Sequence, residues 1–286
     1  MAGPTPSSPT SPPGPDRPNE IRVYQHSQLF YWWPVWVCGF VMALWTWIDG
    51  HRMAIVPRDT TVERTESGEK FVLTTKSKST EALDDAANRT KLNQSAFPLH
   101  VAQNSRLGAI FAVVLLLVIV ITNMPLRGLW SVIIIVAVIL ISIILALADM
   151  WDKIFQKLGD LHIYINMAGY FLMAFGLFGM WLLSVFFFDR QTYMIFTPGQ
   201  LKVCLEIGGG ETAYDTMGMT IQKYRDDLFR HWILGLGSGD LTVRTSGAQS
   251  HEFPMHNVLN ISTKLRQIEE MQREKQTVQS VKATGR

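Results

Sequence analysis

Residues 107 to 148 read LGAIFAVVLLLVIVITNMPLRGLWSVIIIVAVILISIILALA, and Arg127 is the single charged side chain among them. A helix rises about 1.5 Å per residue, so roughly 20 apolar residues cross a hydrocarbon core of about 30 Å. Leu107 to Met124 and Leu129 to Ala148 match that length or fall just short of it. The link from Asn123 to Gly128 leaves room only for a tight turn, which predicts an antiparallel hairpin of two membrane-crossing helices.

Two further runs outside this hairpin carry no charge, Leu29 to Ile48 before it and Ile163 to Phe188 after it. A soluble core rarely holds four such runs in a chain of 286 residues. In lipid, a helix satisfies its own backbone polar groups, so the same runs are natural spans. The expected fold class is an α-helical transmembrane bundle of four spans followed by a small β-barrel or sheet domain with a C-terminal capping helix. Phe30, Tyr31, Trp32, Trp33 and Trp36 open the first run, and Trp45 and Trp47 lie near its end. That distribution suits aromatic belts at both interfaces. Pro34 sits near the helix start, where its missing N–H costs little.

The remaining segments set the domain bounds. Seven prolines fall among the first eighteen residues, so residues 1–20 read as a disordered tail. No signal-peptide pattern is visible, and residues 21–49 are expected as a permanent first span. Residues 50–106 form a polar inter-helix segment. Within it, Val62 to Lys76 reads as two short strands about Ser67-Gly68, and a helix-compatible stretch runs from Thr80 until Pro98 ends or restarts it.

Residues 107–188 hold the other three spans. An amphiphilic connector, MWDKIFQKLGDLH, precedes the fourth, whose Gly169, Gly176 and Gly179 suggest a face for helix packing or a homo-oligomer. An even number of spans puts both termini on one side. Arg17, Arg22, Arg127, Arg190 and Lys202 flank the spans there, against Arg52, Arg58, Arg106, Lys153 and Lys157 opposite, so positive charge favours neither orientation.

Residues 190–276 change character. Tyr193 to Phe196 meets the turn Thr197-Pro198-Gly199, and Leu201, Val203, Leu205 and Ile207 then alternate with polar neighbours until Gly208-Gly209-Gly210. Further strands are expected at Thr220 to Tyr224, Phe229 to Leu234, Leu241 to Thr245 and His251 to Phe253. The period then switches. Val258, Ile261, Leu265 and Ile268 make one helical stripe, with Asn257 as its N-cap and Arg266 paired to Glu270 outside. Residues 277–286 read as a second disordered tail.

The hairpin YMIFTPGQLKV, the stretch MTIQKYRDDLFRHWILGLGSGDLTVRTSGA and the closing helix give Tyr193 to Gln272 a resemblance to the bacterial pleckstrin-homology-like domain. In that family a strand ends at a glycine-rich turn, here Gly235, Gly237 and Gly239, and the next reads like Asp240 to Thr245. The resemblance covers under a third of the chain. It implies a seven-strand barrel with a C-terminal helix, no general catalytic activity, and a place in a bacterial cell (inner) membrane with N-terminus and domain in the cytoplasm.

The residue pattern offers no catalytic or metal-binding constellation. GLGSG at 235 to 239 lacks the third glycine and following helix of a dinucleotide fingerprint. His251 and His256 flank a proline in HEFPMH, which cannot present the two imidazoles of HExxH on one helix face. Cys38 and Cys204 supply neither a disulfide framework nor metal spacing, and no Ser-His-Asp or Cys-His arrangement follows from spacing. Ionisable groups of the kind transporters place in the membrane are missing from the four runs. Asn166, Tyr170 and Ser184 in the fourth are read as helix–helix hydrogen-bonding groups.

No catalytic, cofactor-binding or metal-ligating residue is therefore assigned. A net charge of +2 argues against nucleic acid. The expected function is a membrane-anchored scaffold presenting its domain to a membrane or cytoplasmic protein. The alternative is an anionic-lipid sensor in which Lys223, Arg225 and Arg244 touch headgroups; a transporter component is the third reading.

Overall fold

A computed structural model describes residues 20–64, 71–75, 81–92, 94–124, 128–204, 210–225, 227–246 and 250–284. The turn at Ser67-Gly68, the end of the strand at Leu205 and Ile207, and the tail before residue 20 lie outside them. In chain order the elements are β1 (Ile21–Tyr24), α1 (Trp33–Asp49), β2 (Arg52–Met53), β3 (Thr61–Arg64), β4 (Phe71–Thr74), α2 (Glu81–Lys91) and β5 (Leu99–His100). Then come α3 (Arg106–Asn123), α4 (Leu129–Leu147), α5 (Trp151–Gly159), α6 (Met167–Leu183), β6 (Tyr193–Phe196), β7 (Gln200–Cys204) and β8 (Thr212–Asp215). The last are β9 (Thr220–Tyr224), β10 (Gly239–Arg244), β11 (Glu252–Val258) and α7 (Ile261–Thr284). The chain divides into two units, a helical one from Gln28 to Leu182 and a sheet-built one that joins residues up to Ser27 to most of the chain after Leu183.

Among the described residues, four helices are long and apolar enough to cross a membrane: Gln28–Asp49, Arg106–Asn123, Leu129–Leu147 and Met167–Gln191. Two boundaries differ from expectation. The first helix starts at Gln28 because residues 21 to 24 are a strand. The fourth starts at Met167 because the Asn166 side chain accepts the Gly169 N–H at 2.7 Å, which caps the helix there. Asn166 is thus a cap and not a helix–helix contact.

In the helical unit α1 buries Val35, Gly39, Ala43 and Thr46, a stripe of near four-residue spacing. A Cβ on Gly39 would lie 2.9 Å from the Ala174 Cβ of α6 and 3.3 Å from the Phe111 ring of α3, so the close approach needs glycine. Gly176 and Gly179 face open space instead, and Gly169 lies against its own cap. Tyr170 packs its ring on Phe111, with centroids 5.5 Å apart. Along α4, Ser131 is the buried residue and the aliphatic side chains are largely exposed. The 50–106 segment contains two separate two-stranded sheets, β2 with β5 and β3 with β4, besides α2.

In the second unit one antiparallel sheet runs β1-β6-β7-β8 and another runs β11-β10-β9. They do not close into a barrel among the described residues. β1, from the N-terminal segment, pairs Ile21 with Phe196 and Tyr24 with Tyr193. The core draws Ile21 and Val23 from β1, Met194 and Phe196 from β6, Leu241 and Val243 from β10, and Ile261 and Ile268 from α7. In β1, β6 and β10 the inward residues alternate along the strand.

Three local expectations are corrected. Phe229 to Leu234 is a wide helical turn, not a strand, because the Asp227 carboxylate accepts the Arg230 N–H at 2.9 Å and caps it. Asn257 lies inside β11 at φ +57°, so it does not cap α7, which begins at Ile261. Helix α7 continues to Thr284, into the segment expected to be disordered.

Candidate functional site

A polar cluster of the sheet unit sits where the chain leaves the domain for the first and fourth candidate spans. Asp189 ends the wide helical turn that follows α6 and is only 5% exposed. One carboxylate oxygen accepts the Ser27 N–H at 3.1 Å and the Ser184 hydroxyl at 3.5 Å. The other lies 3.1 Å from His26 Nδ1. A carboxylate only accepts, so Nδ1 carries the proton in that bond. Ser27 Oγ lies 2.6 Å from Ser184 Oγ. Ser184 therefore binds the N-terminal segment, not another helix as its sequence position suggested.

The network continues into the second sheet. The His26 N–H donates to the His256 carbonyl at 3.2 Å. The Asn257 amide donates to the His26 carbonyl at 2.8 Å, and the Asn257 N–H to Asp240 at 2.9 Å. The same Asp240 carboxylate faces His231 Nε2 at 3.7 Å and His256 Nδ1 at 3.6 Å. His231 is 2% exposed, and its Nδ1 lies 3.2 Å from the Ser238 hydroxyl. Left-handed Asn257 turns its side chain toward His26, and asparagine tolerates that conformation better than most residues.

Serine, histidine and aspartate meet here twice, but in neither case as an accessible, activated nucleophile. A relay needs the imidazole between the hydroxyl and the carboxylate. At Asp189 the carboxylate stands between the imidazole of His26 and the hydroxyls of Ser27 and Ser184, which are bound to each other. His231 does lie between the Ser238 hydroxyl and Asp240, but its Nε2 is 3.7 Å from the carboxylate and Ser238 is fully buried, so that hydroxyl meets no substrate. The Asp189 arrangement clamps β1 to the rest of the domain. Among the described residues no group of three His, Cys, Asp or Glu side chains is placed to hold a metal ion.

The three basic residues singled out from sequence do not converge. Lys223 pairs across from Leu241, so it shares the face that carries the core, and its amine donates to Ser262 Oγ of α7 at 3.2 Å. Arg244 stands three residues on from Leu241, on the opposite face, bound to Glu252 at 2.6 Å. Arg225 lies against Gly237 and Gly239 in the glycine-rich turn. That turn leads into β10 and not a helix, and His251 and His256 flank or lie in strand β11. At the end of β6 the Tyr193 phenol donates to Glu211 at 2.6 Å, and this bond pushes its pKa up to about 12.

His26, Ser27, Asp189 and Asp240 were not singled out from sequence as site residues, and Ser184 was read only as a helix–helix hydrogen-bonding group. The available signal was positional: polar residues stand directly before the first apolar run and directly after the fourth, which an even span number puts on one side. No protein-family model matches this chain, and neither curated proteins nor solved structures yield a match.

Proposed function

We propose that this protein is a non-catalytic membrane scaffold whose pleckstrin-homology-like domain docks an extended segment of a partner protein along the edge strands β8 and β9. The observation that carries this reading is the sheet order. Among the described residues, β8 ends the four-stranded sheet and β9 ends the three-stranded one, each hydrogen-bonded on one side. An unpaired row of N–H and C=O groups is a template for an added strand. Most side chains of both strands are exposed, so a partner would meet no steric wall from them. The domain type is supported by the seven strands among the described residues, in a four-and-three arrangement followed by a helix, with β1 as the first. We place the four helices in a bacterial cell membrane, with N-terminus and domain in the cytoplasm.

Mild-detergent pull-down from native membranes tests the edge. The full chain is compared with one ending at Arg190 and with Gln222→Pro and Lys223→Pro, one of which removes an outward N–H. Proline is tolerated at an outward edge position. A partner held by the full chain and lost from the truncation and from the outward proline variant supports docking at β9. A partner retained by the chain ending at Arg190 overturns the reading.

A further inference from the structure

The domain carries an exposed apolar tip that neither the polar clamp nor the sheet edges use. Trp232 is 73% exposed, Ile233 47% and Leu236 72%. They lie on one loop, closed at its base by the Gly237 N–H donating to the His231 carbonyl at 2.9 Å. Buried Leu234 pins that loop to the domain, and Leu236 is held at φ +50°. A soluble domain gains nothing in water from presenting Trp, Ile and Leu together on a pinned loop.

Its place in the domain identifies what covers it. His231, at the base, faces Asp240, which accepts the Asn257 N–H; Asn257 in turn donates to the His26 carbonyl. His26 is two residues from Gln28, where the first candidate span starts, and is bonded to Asp189 in the tail of the fourth. The tip thus springs from the end of the domain at which the chain passes into both spans. The far end is the turn after β8, where Met217 is 68% exposed. Tryptophan with aliphatic neighbours suits the headgroup–acyl boundary, and the Arg225 guanidinium lies against Gly237 at the foot of the same loop.

We propose that Trp232, Ile233 and Leu236 insert into the bilayer interface beside the spans, giving the domain a third membrane attachment besides its two chain connections. This rests on the reading of the four helices as spans. Apolar side chains do the docking, so zwitterionic lipid suffices and salt has little effect.

The test uses the full chain in phosphatidylcholine nanodiscs, with Cys38 and Cys204 replaced by alanine and a spin label placed at one site at a time. Labels at Leu236→Cys and Ile233→Cys are expected to be shielded from an aqueous nickel chelate and reached by oxygen. The label at Met217→Cys should be severalfold more open to the chelate, and Trp232→Ser should move the label at position 236 back toward water. A label at Val138→Cys in α4 reports on the spans separately: if it is deep while 236 is as wet as 217, the tip proposal fails alone. Shielding of 236 that arises only when membrane-extract proteins are added also overturns it, in favour of a protein-docking loop.

Discussion

At the meeting point of α1, α3 and α6, Gly39, Ala174, Phe111 and Tyr170 fit by shape, and the hydroxyls of Thr46 and Thr122 bond back to their own helices at 2.7 Å. In the sheet unit, a chain of hydrogen bonds through Asp189, His26, Asn257 and Asp240 fixes which segment lies beside which. If the four helices are spans, as proposed, the difference follows from the solvent each region answers to. Between helices in lipid, apolar burial gives little drive, so close approach decides. In a water-facing domain, apolar burial supplies the drive but little address, and satisfied polar groups supply the address.

Removing the N-terminal contribution to the domain core strains this contrast most. Ile21→Ala together with Val23→Ala is expected to cost about 4 kcal/mol in the sheet unit, since both residues are buried there. Chemical denaturation in detergent, followed by proteolysis of the segment after Tyr193, reads it. Asp189→Ala leaves the Ser27 N–H and the His26 imidazole without their acceptor and is expected to cost about 2–4 kcal/mol by the same assay. Asp189→Asn, which keeps an acceptor, should recover part of that.

On the other side, Gly39→Val overpacks the contact with Ala174 and is expected to cost about 1–3 kcal/mol in helix association. It should leave the protease resistance of the sheet unit unchanged; a loss there would mean the two regions do not fail independently. A smaller effect is expected at Tyr193. Its raised pKa means that the Glu211 bond contributes below pH about 10 and is lost as pH rises toward about 12. Tyr193→Phe should remove that alkaline step from a tyrosinate absorbance titration. Ile139→Leu on exposed α4 should change nothing measurable in the assays above, because lipid is as apolar as either side chain.

What was legible in the sequence divides along the same line. An uncharged run such as Leu129 to Leu147 announces itself, because lipid imposes a length and a composition on every residue of it. The strands at 193–196 and 220–224 were legible through turn residues and alternation. β1 was not, because Ile21-Arg22-Val23-Tyr24 abuts an aromatic-rich span and is too short to signal a period of its own. The clamp was hidden for another reason. His26 and Asp189 are 163 positions apart, and a hydrogen bond across that distance leaves no local trace. Phe229 to Leu234 misled because aromatic and aliphatic residues suit strands, whereas the Asp227 cap decides for a helical turn.

The pairing of β1 with β6 has a consequence for synthesis. A ribosome delivers Ile21 to Tyr24 first, but their partner strand emerges only after all four helices have been made. Until then Ile21 and Val23 have no sheet to join, and the carboxylate that fixes His26 does not yet exist. Long-range closure of this kind is slow and comes late. On the proposal that the four helices cross a membrane, the domain forms as a seal on a finished insertion: a protein that lost a span would carry its first strand to the face opposite β6, and the sheet would lack that strand.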